Sequence, residues 1–132
     1  MLKKIRLAID EDSPYLALQK RFSKKLRIIS VFELTKRYGA DDNFVYQSCN
    51  DKNYHLLTRN TRHFKKFLRD TTRRAGIICN ETADFKIYFQ QLEKLFDFLD
   101  SHEKLQDQFI RITGEKIEAV NKRTNEKIMI SK

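Results

Sequence analysis

The sequence predicts an α/β protein: a central, mainly parallel sheet with helices on both faces, finished by a C-terminal β-meander. Three observations predict it. Over residues 1–100, apolar runs rich in β-branched residues alternate with segments whose apolar positions recur at helical spacing, which is the pattern of a parallel sheet. From Thr82 onward, Phe85, Tyr88, Phe89, Leu92, Leu95, Phe96 and Leu99 all fall on one face of a long helix. The tail "FIRITGEKIEAVNKRTNEKIMISK" then carries three short alternating runs, separated by Gly114-Glu115 and Thr124-Asn125. A chain of 132 residues is most simply one domain. In it, residues 1–100 form the α/β unit and residues 101–132 a β extension of the same domain. No internal repeat and no Pro/Gly-rich linker interrupts it.

The elements follow in order. "KKIRLAID" sets Ile5, Leu7 and Ile9 at alternate positions, with Leu2 and Ala8 leaving the other face apolar, as in a strand at the centre of a sheet. Ser13-Pro14 starts a helix, with serine as cap and proline in the first turn, and Tyr15, Leu18 and Phe22 continue it. "LRIISVF", Leu26 to Phe32, is a second strand. "GADDNFVYQSCNDKN" opens on glycine, then a helix capped by Asp41 or Asp42. "YHLLT", Tyr54 to Thr58, is a third strand, and "NTRHFKKFLRD" a helix capped by Asn60 or Thr61. "AGIICN", Ala75 to Asn80, is the fourth strand.

Composition bounds the function. Hydrophobic residues at 40% beside 34% charged fit a soluble globular chain rather than a disordered one. The 27 Lys and Arg against 18 Asp and Glu leave a net charge of +9, which points to a polyanionic partner such as nucleic acid. No stretch approaches the roughly 20 apolar residues of a membrane span, so no membrane partner is expected. The N-terminal "MLKKIRLAIDED" is too short in its apolar run for a signal sequence. Cys49 and Cys79 stand alone, without a CxxC or the second pair a zinc site needs, and read as reduced thiols in a cytoplasmic protein.

In an open α/β sheet, ligands bind outside the carboxyl ends of the strands. Three polar spots fall at that edge: Asp10-Glu11-Asp12 after the first strand, Asp41-Asp42 before the helix that follows the second, and Asn60 after the third. Carboxylates far apart in sequence but gathered at one edge are what a hard divalent ion needs. Helix capping is the competing explanation for each position taken singly. Beside Asn60 runs "TRNTRHFKKFLRDTTRR". On a continuous helix Arg62, Lys66, Arg69 and Arg73 share one face, with Phe64, Phe67 and Leu68 opposite. That stripe, together with Arg59, either tracks a phosphate backbone or is simply a solvated face. His63 reads as a surface side chain, and His55 and His102 show no partner pattern. The Phe85 to Phe96 stripe reads as core, or as core plus a homodimer interface.

"LAIDEDSP", "GADDNFVYQSC", "YHLLTRNTRHFKKF" and "AGIIC" resemble, in order and at the right intervals, the signatures of small PIN-like proteins, approximately "hhhDENhP", "GhsDEEhhxhA", "hhhTxDxDF" and "GhIhh". The resemblance spans Leu2 to Leu99. It implies a three-layer α/β/α PIN-like fold and Mg²⁺- or Mn²⁺-dependent ribonuclease activity of the kind found in toxin–antitoxin pairs. Asp10 matches the first acidic ligand and Asp42 the acid after the glycine turn. Glu11 and Asp12 take the next two positions of the first signature, and Asn60 stands where the third has an Asp. Asn43 replaces the Glu that usually follows Asp42, so two carboxylates of the pattern are amides here.

The expectation is therefore a metal-dependent ribonuclease that hydrolyses a phosphodiester of RNA. Asp10, Asp42 and Asn60 are its catalytic positions, and Asp10, Asp12 and Asp42 hold Mg²⁺ or Mn²⁺, with Glu11 or Asn60 completing the shell directly or through water. Arg59, Arg62, Lys66, Arg69 and Arg73 hold the nucleic acid. Asn43 and Asn60 favour the alternative of a non-catalytic PIN-like protein that binds RNA or an antitoxin. A third reading is a plain structural domain whose acids only cap helices.

Overall fold

Ile5, Leu7 and Ile9 of β1 (Ile5–Ile9) face one hydrophobic cluster and Ala8 faces a second, so the first strand is covered on both sides. The computed structural model describes residues 4–131. Leu2, which the sequence assigns to the second face of that strand, lies outside them, as do Met1, Lys3 and Lys132. The chain continues as α1 (Tyr15–Phe22), β2 (Leu26–Ser30), α2 (Val31–Thr35), α3 (Asp42–Lys52), β3 (His55–Thr58), α4 (Thr61–Phe64), a 3-10 helix (Lys65–Arg69), β4 (Ile77–Asn80), α5 (Phe85–Phe98), α6 (His102–Leu105), β5 (Gln108–Ile112), β6 (Ile117–Asn121) and β7 (Lys127–Ser131).

The seven strands form one mixed sheet in the order β2-β1-β3-β4-β5-β6-β7. All pairings from β2 across to β5 are parallel, and β5-β6 and β6-β7 are antiparallel. Leu18, Phe22, Leu92 and Leu95 cover one face of the sheet from α1 and α5. Val31, Leu34, Val45, Tyr46 and Phe64 cover the other from α2, α3 and α4. Each such side chain, fully buried, contributes about 1.5–3 kcal/mol. Strand polarity is legible in this division: Leu56 goes to one cluster and Leu57 to the other, Ile77 and Cys79 to one and Ile78 to the other. Cys49 and Cys79 are both buried free thiols. No helix among the described residues is long and apolar enough to cross a membrane.

Several local expectations are corrected. Ser13 does not cap α1. The cap position is Pro14, with no side-chain bond, and Ser13 turns inward instead. Val31 and Phe32 belong not to the second strand but to a helix, because Ser30 caps it: Ser30 Oγ accepts from Glu33 N–H (3.1 Å) and donates to Glu33 Oε1 (3.3 Å). Of the alternatives the sequence leaves open, Asp41 caps α3 and Asn60 caps α4, as expected.

The single basic helix also fails to form. α4 tightens after one turn into the 3-10 helix, in which positions i and i+3 stack, and this buries both Phe64 and Phe67 on the same side. Asp70 ends it by accepting from Thr72 N–H and Arg73 N–H (2.9 and 3.1 Å). Arg62, Lys66, Arg69 and Arg73 therefore do not share one helical face.

Candidate functional site

The strand order reverses at β1. The chain leaves β1 for β2 on one side, then crosses back through α2 and α3 to β3 on the other. The crevice at the carboxyl ends of β1 and β3 is where open α/β sheets bind ligands. The sequence brings its acids to this point. Ile9 of β1 pairs with Leu57 of β3, and Asp10 N–H donates to Leu57 O (2.9 Å), so Asp10 sits beside Thr58. α3 starts on the same edge and delivers Asp42, and the cap of α4 delivers Asn60.

Asp10, Glu11, Asp12, Asp42, Asn60 and His63 line one open cavity of about 510 Å³, with Gly39 and Ala40 in its wall and Val31, Val45 and Phe64 contributing apolar surface. Asp10 is the most organised of the acids. Its Oδ2 accepts from the Thr58 hydroxyl (2.8 Å) and its Oδ1 from Glu11 N–H (2.9 Å). Burial raises its carboxyl above the ordinary aspartate range. The Thr58 bond pulls it back, and the charge of Asp12, then that of Glu11, pushes it up again. The carboxylates that act on Asp10 are thus Asp12 first and Glu11 second, both from its own loop.

In a chain of net charge +9, none of the ion pairs among the described residues involves Asp10, Glu11 or Asp12. None of the three caps α1 by its side chain either, so capping does not account for them. Asp42 differs. Lys66 Nζ stands 3.3 Å from its Oδ2, a cation held at the cleft by the 3-10 helix. Asn60 Oδ1 accepts from His63 N–H (3.3 Å), which directs its amide nitrogen at His63 Nδ1 (3.0 Å). An amide NH₂ only donates, so His63 Nδ1 is the acceptor and the ring proton is on Nε2.

Other expected site residues go elsewhere. Asn43 is bonded by Arg73 Nη1 (3.0 Å) and is not a cleft residue, so this departure from the acidic pattern is not felt there. Arg73 is half-buried, paired with Asp70 (2.7 Å) and stacked on Tyr46 and Phe67; it is a staple between the loop and α3. The Arg59 guanidinium lies 5.5 Å from the Tyr88 ring centroid on the α5 side of the sheet, with Nη1 buried and unbonded. Arg62 and Arg69 are exposed.

Sequence reasoning missed two contributors. His63 is exposed, as a surface side chain is expected to be, and also lines the cleft; its place three residues after the α4 cap is the signal for that. Glu81, directly after β4, accepts from Thr61 Oγ1 (2.5 Å) and from Arg111 Nε (2.7 Å), and so fixes the first residue of α4 against β5. Burial raises the Glu81 carboxyl, but the Arg111 and Thr61 bonds outweigh it and hold it low.

The expected ligand set Asp10, Asp12 and Asp42 does not come together as a preformed protein cage. Among the described residues no three His, Cys, Asp or Glu side chains come together as a ligand cluster. Mg²⁺ is commonly held by one or two carboxylates, its remaining positions filled by water and substrate phosphate. Asp10 and Asp12, whose charges act on one another, are the carboxylates of this cleft that could take such a part. In comparisons with family models, curated proteins and solved structures, none matched this chain.

Proposed function

We propose that this cleft hydrolyses RNA phosphodiesters with the help of a divalent cation. The observation that carries the reading is the uncompensated Asp10-Glu11-Asp12 run at the point where the strand order reverses, in a protein whose net charge is otherwise strongly positive. A bound Mg²⁺ or Mn²⁺ would supply positive charge at the scissile phosphate and a more acidic attacking water. Asp10, oriented by Thr58 and Glu11 N–H, is the principal ligand, with Asp12 and Asp42 adding negative charge. Lys66 and Arg62 offer positive charge to the phosphates flanking the scissile one. His63, with its Nδ1 bonded by the Asn60 amide, can offer its Nε2–H as a hydrogen-bond donor to a phosphate oxygen in the cleft. The PIN-like resemblance of residues 2–99 supports the same reading, along with a cytoplasmic toxin-type role and a small protein partner.

A second reading, an RNA- or antitoxin-binding protein without catalysis, is favoured by the Lys66–Asp42 pair and by the use of Asn60 as a cap. Incubating labelled RNA with the protein in Mg²⁺ or Mn²⁺, with a chelated control, separates the two. Hydrolysis predicts cation-dependent products that fall about 100-fold in Asp10→Asn. Retained RNA with no product in any cation gives the second reading.

A further inference from the structure

An aromatic pair stands unsheltered at the rim of this cleft. Tyr38 is 82% exposed and Phe32, on α2, is 40% exposed, and their rings stack at 4.0 Å with an interplanar angle of 20°. One face of the Tyr38 ring is thus covered by Phe32 and the other is open. Side chains of this size ordinarily bury their faces. The next two residues, Gly39 and Ala40, are in the cleft wall that Asp10 and Asp42 share.

The loop that carries Tyr38 is fixed. Buried Thr35 accepts from Arg37 N–H (3.2 Å) through its hydroxyl oxygen and donates toward Val31 O (3.0 Å) and Arg37 O (3.2 Å). Lys36 turns the chain at φ 61°, and Gly39 turns it again at φ 63°. The Arg37 guanidinium lies 4.1 Å from the Phe44 ring centroid. A ring held in place beforehand costs little ordering when a partner arrives. Its neighbours, Lys36 and Arg37, are cations, and Lys66 is held at the cleft through Asp42.

A flat open ring with cationic chain neighbours, beside the cleft proposed to act on a phosphodiester, matches single-stranded nucleic acid. Bases there stack on aromatic side chains while cations follow the backbone. Bases in a duplex are already stacked on both sides and cannot use such a ring. We propose that Tyr38, backed by Phe32, is the stacking platform for an unpaired base of single-stranded RNA whose backbone enters the acidic cleft. This names the substrate class of the function proposed above and rests on it.

The test measures binding of a short labelled single-stranded RNA, and of the same sequence as a duplex, by anisotropy in EDTA. Tyr38→Ala should weaken the single strand about tenfold and leave the duplex unchanged. Tyr38→Phe should bind within about twofold of wild type. Tyr38→Leu keeps apolar bulk against Phe32 but no ring face, and should behave like Tyr38→Ala. The salt slope should be the same in all four proteins, because no phosphate contact is removed. Equal binding by Tyr38→Ala, equal losses on single strand and duplex, wild-type binding by Tyr38→Leu, or no binding of either RNA by wild type would each overturn the platform. Because binding is read without metal, cleavage in Mg²⁺ judges the hydrolytic reading separately. Tyr38-dependent binding without cleavage refutes only hydrolysis, and cleavage with Tyr38-independent binding refutes only the platform.

Discussion

His55 makes the stability of this fold depend on pH in a calculable way. Its ring is 1% exposed at the start of β3. Nδ1 accepts from Gly76 N–H (2.7 Å), so the ring proton is on Nε2, which donates to His102 O (2.9 Å). A second proton on Nδ1 would break the Gly76 bond, and the His102 ring packs 4.1 Å away. Burial, followed by the His102 charge, lowers the His55 pKa to about 3, against an unfolded value near 6.5. As pH falls through 6.5 the unfolded chain takes up this proton and the folded chain does not, so stability is lost over the window from 6.5 down to 3. Between pH 7 and 5 the loss is about 2 kcal/mol, or about 1 M in the urea midpoint for a chain of this size. His55→Asn keeps an acceptor near the Nδ1 position but has nothing to titrate. Urea melts at the two pH values should show the wild type losing this increment and the variant, weaker at pH 7, losing that much less. Equal losses in both proteins would refute the assignment of the buried neutral ring.

The other predictions concern the same core and its far side. A Cβ at Gly76 would collide with the backbone carbonyl of Leu105, which cannot swing aside, so Gly76→Ala should cost about 2–4 kcal/mol in urea melts. Lys122 is 2% exposed and donates from Nζ to Tyr46 Oη and to Arg73 O (2.9 Å), tying the turn after β6 to the loop after the 3-10 helix. Burial lowers its pKa to about 8 from an ordinary value near 10.5, so the folded state releases this proton first. Wild-type stability should therefore gain a contribution as pH rises from 8 to 9.5, and Lys122→Met, followed by the same melts, should lack it.

The fold was legible where local signals and tertiary packing agree. Alternation in "IRLAI" and "HLLT", the helical stripe of α5 and the turn residues of the tail all report the surfaces those segments bury. α2 is hidden in the sequence because "RIISVF" is rich in β-branched residues, although Ser30 followed three residues later by Glu33 is a helix-start pattern. The basic segment has helical spacing, but its aromatics, Phe64 and Phe67, are buried three apart, which suits a 3-10 turn. Asp70 ends the segment by side-chain bonds forward to Thr72 and Arg73, which no periodicity reveals. At the site, strand polarity alone carries Asp10, Asp42 and Asn60 to one edge. Which oxygens remain open is a matter of partners distant in sequence. Thr58 orients Asp10 from β3, Lys66 covers Asp42, and Arg73 draws Asn43 away.

Mn²⁺ binding by the wild type and by Asp10→Asn, followed by calorimetry or by the spin resonance of free Mn²⁺, tests the cation site most directly. Asp10 carries the best-oriented carboxylate in the cleft and has no basic partner among the described residues. The wild type should bind one equivalent at submillimolar to millimolar Mn²⁺, with affinity increasing as pH rises and the carboxyl loses its proton. Asp10→Asn should bind at least about tenfold more weakly. Absence of binding at millimolar Mn²⁺, or equal binding by the two proteins, would contradict a cation held at the carboxyl end of β1.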